Sequence, residues 1–296
     1  MRRNVLGLLV TVAFLWSTAA PAAAKVLHVV ASFTILADML RQVGGSHVDV
    51  VSLVHPNGDP HAYQPTPDDA KRLRDADVVF VNGMALEGWI DRLISASGYK
   101  GRPVLATTGV AALKMQEDGK TVLDPHAWNS AANGIIYVRN IIAGLSAADP
   151  EDAQDFKTAG EAYIKQLQAL DADVRREIDA IPQTKRKVIT THDAFAYFSH
   201  AYGVTFLSPV GLSTEAEASA SDVAKLIGQI KAEHVRTYFF ENSNDPRLIE
   251  QIARATGAEP GGELYVEALS PPGGPATTYA EMFRYNVDQL VRAMQK

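Results

Sequence analysis

Residues 149–181 read DPEDAQDFKTAGEAYIKQLQALDADVRREIDAI, and the reading of the fold turns on this stretch. It has few helix breakers and ends at Pro182. Its apolar side chains fall at Phe156, Tyr163, Leu167, Leu170, Val174 and Ile178. The spacings of seven, four, three, four and four trace one face of a long helix. An ordinary surface helix would show the same periodicity. What singles this one out is its place, near the middle of the chain, with strand–helix alternation on both sides.

On the N-terminal side, Val26–Ala31, His47–Val54, Asp77–Asn82 and Val104–Ala106 read as strands rich in β-branched residues. Helical spacing separates them at Ile35–Val43 and Glu87–Ser95, and resumes at Asn133–Ala143. Thr66 is placed to cap a helix, with Pro67 at its first position and Asp68 and Asp69 in its first turn. On the C-terminal side, strands are read at Val188–Thr191, Val204–Leu207, Val235–Phe240 and Leu264–Val266. The helices there are Ala194–Tyr202, Ser221–Glu233 (opened by Ser219 or Ser221), Pro246–Thr256 and Thr277–Met294. Such alternation predicts βαβ units and parallel sheets flanked by helices. The expected fold is α/β with two lobes, residues 25–146 and 187–296, bridged by one long helix within residues 147–186.

The first 24 residues carry a different signal. Arg2 and Arg3 precede an apolar run, Val5–Trp16, and Ala22-Ala23-Ala24 fits a cleavage site before Lys25. This reads as a cleaved secretory signal, too short for a membrane span. No later apolar run is long enough to cross a bilayer, so the expected location is a periplasm. The sequence has no cysteine, which leaves out disulfides, thiolate ligands and a lipid-modified N-terminal cysteine. Without Arg2 and Arg3 the 28 basic residues become 26 against 34 acidic ones, a formal charge of −8. That balance argues against nucleic acid as a partner.

The chemistry concentrates in histidines. Asp-Pro-His occurs at Asp59-Pro60-His61 and again at Asp124-Pro125-His126, and His192 follows in Thr190-Thr191-His192-Asp193. Each lies at or shortly beyond a strand, where folding can gather loops at one sheet edge. Imidazole is the commonest protein ligand for zinc and suits several other transition metals. Proline stiffens the approach to His61 and His126, and the preceding aspartate can fix a ring tautomer or a turn. A chain without cysteine needs a carboxylate to complete a four-donor zinc site. Glu267 is the first candidate and Glu241, at the end of Tyr238-Phe239-Phe240-Glu241, the competitor. Enzyme signatures are missing: there is no H-E-x-x-H, no G-x-S-x-G, and no Walker-type or G-x-G-x-x-G loop. Four protein ligands would also leave no open position for an activated water.

At these residues the chain resembles the metal-specific solute-binding proteins of bacterial ABC importers, the cluster A-I group that includes zinc and manganese receptors. The resemblance is carried by Asn57-Gly58-Asp59-Pro60-His61-Ala62-Tyr63-Gln64-Pro65-Thr66-Pro67 and by Asp124-Pro125-His126-Ala127-Trp128. It continues through Thr191-His192-Asp193-Ala194-Phe195-Ala196-Tyr197-Phe198, and through 249–257 after Phe240-Glu241. It implies two α/β lobes joined by one helix, a metal held in the cleft, and delivery to an inner-membrane permease driven by an ATPase. It implies ligands at His61, His126 and His192, with a fourth position that is usually Asp and is Glu267 here, one methylene longer. Histidine at the third position points to Zn2+ as cargo, with Mn2+ the alternative. The short Lys114–Val122 segment holds no histidine, unlike the long His-rich loop that zinc receptors often carry. The expected protein is a monomer without catalytic activity; a metallochaperone is a further candidate partner. Two rival readings are a manganese or iron receptor of the same family and, from another class, a periplasmic zinc hydrolase. A surface adhesin is a third, against which stands the lack of a recognisable anchor.

Overall fold

Each half of the chain builds one four-stranded sheet with every pairing parallel. The structure, a computed structural model, describes residues 25–117, 120–215 and 218–296. The segment read as an export signal lies outside the described residues.

The first sheet holds β1 (Leu27–Ala31), β2 (Val48–Ser52), β3 (Val78–Val81) and β4 (Val104–Leu105), in the order β2-β1-β3-β4. Central β3 is buried at every position, as its unbroken Val-Val-Phe-Val requires of a strand covered on both faces. Around it lie α1 (Thr34–Gly44), α2 (Pro67–Asp75), α3 (Ile90–Ser97) and α4 (Ala131–Ala148). Helix α2 opens as its sequence predicts. Thr66 and Asp69 form a reciprocal capping box, with Pro67 in the first turn. Where the sequence suggests a short loop over Lys114–Val122, β5 (Lys114–Glu117) pairs antiparallel with β6 (Lys120–Leu123).

The long helix, α5, spans Ala153–Asp179. It starts four residues into the stretch read from the sequence, because Pro150 disfavours helical backbone at Asp149 and has no N–H to donate. Asp149 ends α4 with a ψ of 89°. Helix α5 touches both halves. Its Gly160 lets it approach α4 closely, since a Cβ there would lie 2.3 Å from Ile142 Cδ1. Farther along, Glu177 pairs with both terminal nitrogens of Arg284 at 3.0 and 2.9 Å, and Asp171 accepts from Tyr202 Oη at 2.7 Å.

The second sheet holds β7 (Lys187–Ile189), β8 (Thr205–Leu207), β9 (Thr237–Glu241) and β10 (Glu259–Leu264), in the order β10-β9-β7-β8. Its helices are α6 (Ala196–Tyr202), α7 (Ala220–Ala232), α8 (Arg247–Thr256) and α9 (Tyr279–Gln295). Ser219 is the residue that caps α7. Other elements also differ from the sequence reading. Residues Glu87–Trp89 precede α3 as loop rather than starting it. The last strand is Glu259–Leu264, not Leu264–Val266, so Val266 lies beyond it. Within β10, a Cβ at Gly261 would meet the Phe239 ring at 2.5 Å. Glycine is what lets β10 pass there.

The halves share one core. A continuous cluster of buried apolar side chains runs from β1 to α9, and a smaller one lies beneath α7 and α8. Hydrogen bonds cross the junction: Leu269 N to Thr34 Oγ1 at 2.8 Å, Tyr279 N to Asp38 Oδ2 at 2.8 Å, and Tyr279 Oη to Trp128 O at 2.6 Å. Among the described residues, no helix is long and apolar enough to cross a membrane. The loops leaving the C-terminal ends of β2, β7 and β10 meet at the junction. That edge is where open α/β sheets generally bind ligands.

Candidate metal centre

Both Asp-Pro-His segments fold as tight turns. Asp59 Oδ1 accepts from the His61 N–H at 2.8 Å, and Asp124 Oδ1 from the His126 N–H at 2.9 Å. This is the aspartate turn that such sequences favour. The two copies then diverge. Asp124 Oδ1 also receives His126 Nδ1 at 2.8 Å, which turns Nε2 of that ring toward the centre. Asp59 instead spends Oδ2 on the Thr214 hydroxyl, 2.5 Å away in the other lobe. Upstream, Gly58 is obligatory, because a Cβ would sit 2.8 Å from Val54 Cγ1 and 2.9 Å from the His55 carbonyl.

His192 follows β7 directly, and Glu267 lies in the loop after β10. Glu241, the last residue of β9, is not the fourth member of the cluster. Its Oε2 lies 2.5 Å from His192 Nδ1, and its Oε1 accepts from the N–H groups of Thr191 and His192 at 2.9 and 3.2 Å. It therefore stands behind the imidazole and orients it. Glu267 faces the front. Its Oε1 lies 2.9 Å from His61 Nε2, 3.3 Å from His126 Nε2 and 3.5 Å from His192 Nε2. His61 and His126 bring their Nε2 atoms within 3.1 Å. One donor atom from each of the four residues lies within 4.8 Å of all the others, and all four residues are buried.

The Glu267 loop is held from both lobes. Trp128, fully buried, donates from Nε1 to the Val266 carbonyl at 2.7 Å. Asn242 accepts from Val266 N at 3.3 Å and donates to the Ala268 carbonyl at 3.1 Å and to Asn57 Oδ1 at 3.0 Å. Thr214 and Asn242 carry no sequence signal of their own, since only the folded junction brings them opposite Asp59 and Asn57.

Charge is balanced against burial here. Burial opposes a proton on His126, but hydrogen bonds to Asp124 and Glu267 outweigh it and raise its pKa. Burial likewise opposes charge on His192, and the Glu241 and Glu267 carboxylates hold it well above the usual imidazole value. For Glu267 burial favours the neutral acid, yet the His61 and His192 rings and the His126 hydrogen bond hold it well below the usual carboxylate range. A carboxylate taken wholly out of water costs several kcal/mol unless its partners compensate. Within the four-residue cluster, His192 Nε2 and Glu267 Oε2 are buried with no hydrogen bond, and beside them so are Asp124 Oδ2 and Thr191 Oγ1. Buried polar atoms are rarely left so. Three imidazole nitrogens and a carboxylate form a donor set suited to a divalent transition metal. A second group, His47 with Asp152 and Asp155, also has donors within that reach, but Asp155 is exposed.

Known proteins resemble this chain along most of its length. The family model described as zinc-uptake complex component A, periplasmic (ZnuA), matches residues 29–293. The iron ABC transporter substrate-binding lipoprotein MtsA of Streptococcus pyogenes is 33% identical over 279 residues, covering 91% of this chain and 89% of MtsA. The manganese-binding lipoprotein MntA of Bacillus subtilis is 33% identical over 285 residues, covering 94% of this chain and 93% of MntA. Among solved structures, the periplasmic zinc-binding protein TroA from Treponema pallidum matches with a TM-score of 0.86 at 30% identity, covering 91% of this chain and 99% of TroA. The chain belongs to the ZnuA family, the cluster A-I solute-binding proteins that serve as metal receptors of bacterial ABC importers.

Proposed function

We propose that this receptor carries Zn2+, held by His61, His126, His192 and Glu267, through the periplasm to an inner-membrane permease. The observation that carries the reading is the closeness of the four donors: four of their six separations are 2.9, 3.1, 3.3 and 3.5 Å, and the other two are within 4.8 Å. A tetrahedron with metal–ligand bonds of about 2.0–2.1 Å has edges of about 3.3 Å. The donors need only small shifts to close on such an ion. Neutral imidazoles also favour zinc over manganese by intrinsic affinity. Four protein donors leave no position for an activated water, so the chemistry is capture and release rather than hydrolysis. In this reading residues 25–146 and 187–296 are the two lobes and residues 147–186 the link, with His61 and His126 on one side of the cleft.

A manganese or iron cargo is the second reading, and one observation favours it. Glu267 Oε2 is buried without a partner, so the carboxylate can bind through both oxygens and raise the coordination number. Relatives named for iron and manganese fit that option. Titrating metal-free protein with Zn2+ and Mn2+ against a competing chelator, together with elemental analysis of protein recovered from its native periplasm, decides between them. The triple variant H61A/H126A/H192A is expected to lose tight binding; one retained zinc per chain would place the site elsewhere. Turnover of an ester or peptide by the zinc-loaded protein would overturn the transport reading.

A further inference from the structure

The loop between β3 and α3, residues 82–89, reaches both Asp-Pro-His turns. Trp89 donates from Nε1 to the Pro60 carbonyl at 2.8 Å, and Asn82 donates from Nδ2 to the Pro125 carbonyl at 2.9 Å. Each acceptor is the residue immediately before a histidine. A proline has no N–H, so its carbonyl is the one backbone group by which that residue can be held. The loop gives the doubled motif a common attachment.

The loop itself is pinned from within. Glu87 is fully buried in the shared interior, and its Oε1 accepts from Ser32 Oγ at 2.5 Å and from Asn82 N at 2.7 Å. Its Oε2 accepts from Gly83 N at 3.2 Å. Ser32 follows β1 and Asn82 follows β3, so this one carboxylate ties the loop to the ends of both central strands. Met84 and Ala85 are held at φ of 55° and 64°, left-handed backbone that side chains other than glycine seldom adopt. Such strain persists only where the surroundings over-determine it, and it clusters at working sites. Something must explain why this loop is so tightly fixed. The two histidine turns it grips do.

We infer that Glu87 and Trp89 are positioning residues that set the spacing of His61 and His126, and with it the metal affinity and coordination geometry of the site. The inference rests on the reading of those histidines as ligands. Trp89 acts on the Pro60 turn directly, and Glu87 acts through Asn82 on the Pro125 turn.

The test uses W89F, which removes the donor and keeps a buried ring, and E87Q, which replaces an acceptor with an amide whose N–H₂ faces other donors. Each full-length variant and the unmodified protein are titrated with Zn2+ against a chelator. Each is also loaded with Co2+, whose visible d–d bands report coordination number and symmetry. The thermal midpoint of each metal-free protein is measured alongside. Both variants should fold, bind zinc about tenfold or more weakly, as loss of an outer partner does, and show altered cobalt bands. Changes confined to the metal-free melting point, with zinc affinity and cobalt bands as in the unmodified protein, would overturn the inference while leaving the ligand reading intact. If H61A and H126A bind zinc and colour with cobalt as the unmodified protein does, the ligand reading fails and the inference with it. If one variant fails to fold, the other decides.

Discussion

Three carboxylates do different work within a few ångströms of one another. Glu267 faces the three Nε2 atoms, while Asp124 and Glu241 hold the outer nitrogens of His126 and His192. Replacing Glu241 with Gln keeps the shape but removes the charge behind His192, and zinc affinity should fall about 10- to 100-fold in a chelator competition. Acidity should matter as much. In the metal-free protein His126 and His192 have pKa values raised above 6.5, and Glu267 has one lowered well below 4.5. The imidazoles therefore contribute stability that is complete below 6.5 and is lost as pH rises through their folded values. The carboxylate's contribution is present above 4.5 and is lost as pH falls through its folded value. Metal binding needs the imidazoles deprotonated, so zinc affinity should climb as pH rises through and beyond 6.5. The thermal gain on adding zinc should accordingly widen from pH 5.5 to pH 8, which paired melts with and without metal will check. A gain that shrank over that range would contradict the proton competition.

At the scale of elements, short local signals were legible wherever the chain satisfies its own backbone. Thr66, Pro67 and Asp69 spell the start of α2 and form its capping box. Substituting Thr66 by Ala should cost about 1 kcal/mol, read as a lower urea midpoint with an unchanged slope. That cap lies just downstream of the His61 turn, so a loss of zinc affinity much larger than the loss of stability would mean that α2 also sets the ligand. Signals failed where distant packing decides. The strand read at Leu264–Val266 lies instead at Glu259–Leu264, where the Phe239 ring demands glycine at Gly261. Glu87 looks like a helical residue and is a buried loop acceptor, because its partners come from the ends of β1 and β3. Glu241 could be picked out as an acidic residue at a strand end, but not as standing behind His192 rather than beside Glu267.

For the whole molecule, the shared core and the bridging α5 limit how the two halves can move. Buried apolar side chains run without interruption from β1 to α9, Tyr279 adds a polar tie across the junction, and Arg284 and Tyr202 tie α9 and α6 to α5. Opening the cleft widely would expose that surface, so uptake and release should use small lobe shifts and loop motion. Solution X-ray scattering should give the same radius of gyration, within error, for metal-free and zinc-loaded protein; a clear compaction on loading would refute this. Binding should still stabilise the fold strongly, by about 4 kcal/mol at a free metal concentration 1,000 times the Kd. Calorimetry before and after adding excess chelator measures it, and the chelator should return the melting point to its metal-free value.

The sequence alone determined the alternation of strands and helices, the long helix midway, and the three histidines that meet at the junction. Those features are written in local periodicity, in turn chemistry and in residue types that have few uses inside a protein without cysteine. Only the tertiary structure decided which carboxylate faces the imidazoles, which ones hold them from behind, and how Trp89, Asn82 and Glu87 fix the approach of two of them. These choices depend on distances between residues far apart in the chain, and no local pattern encodes such a distance. Burial then gives each of them its energetic weight, because away from water a misplaced carboxylate or an unpaired carbonyl has nothing else to bind.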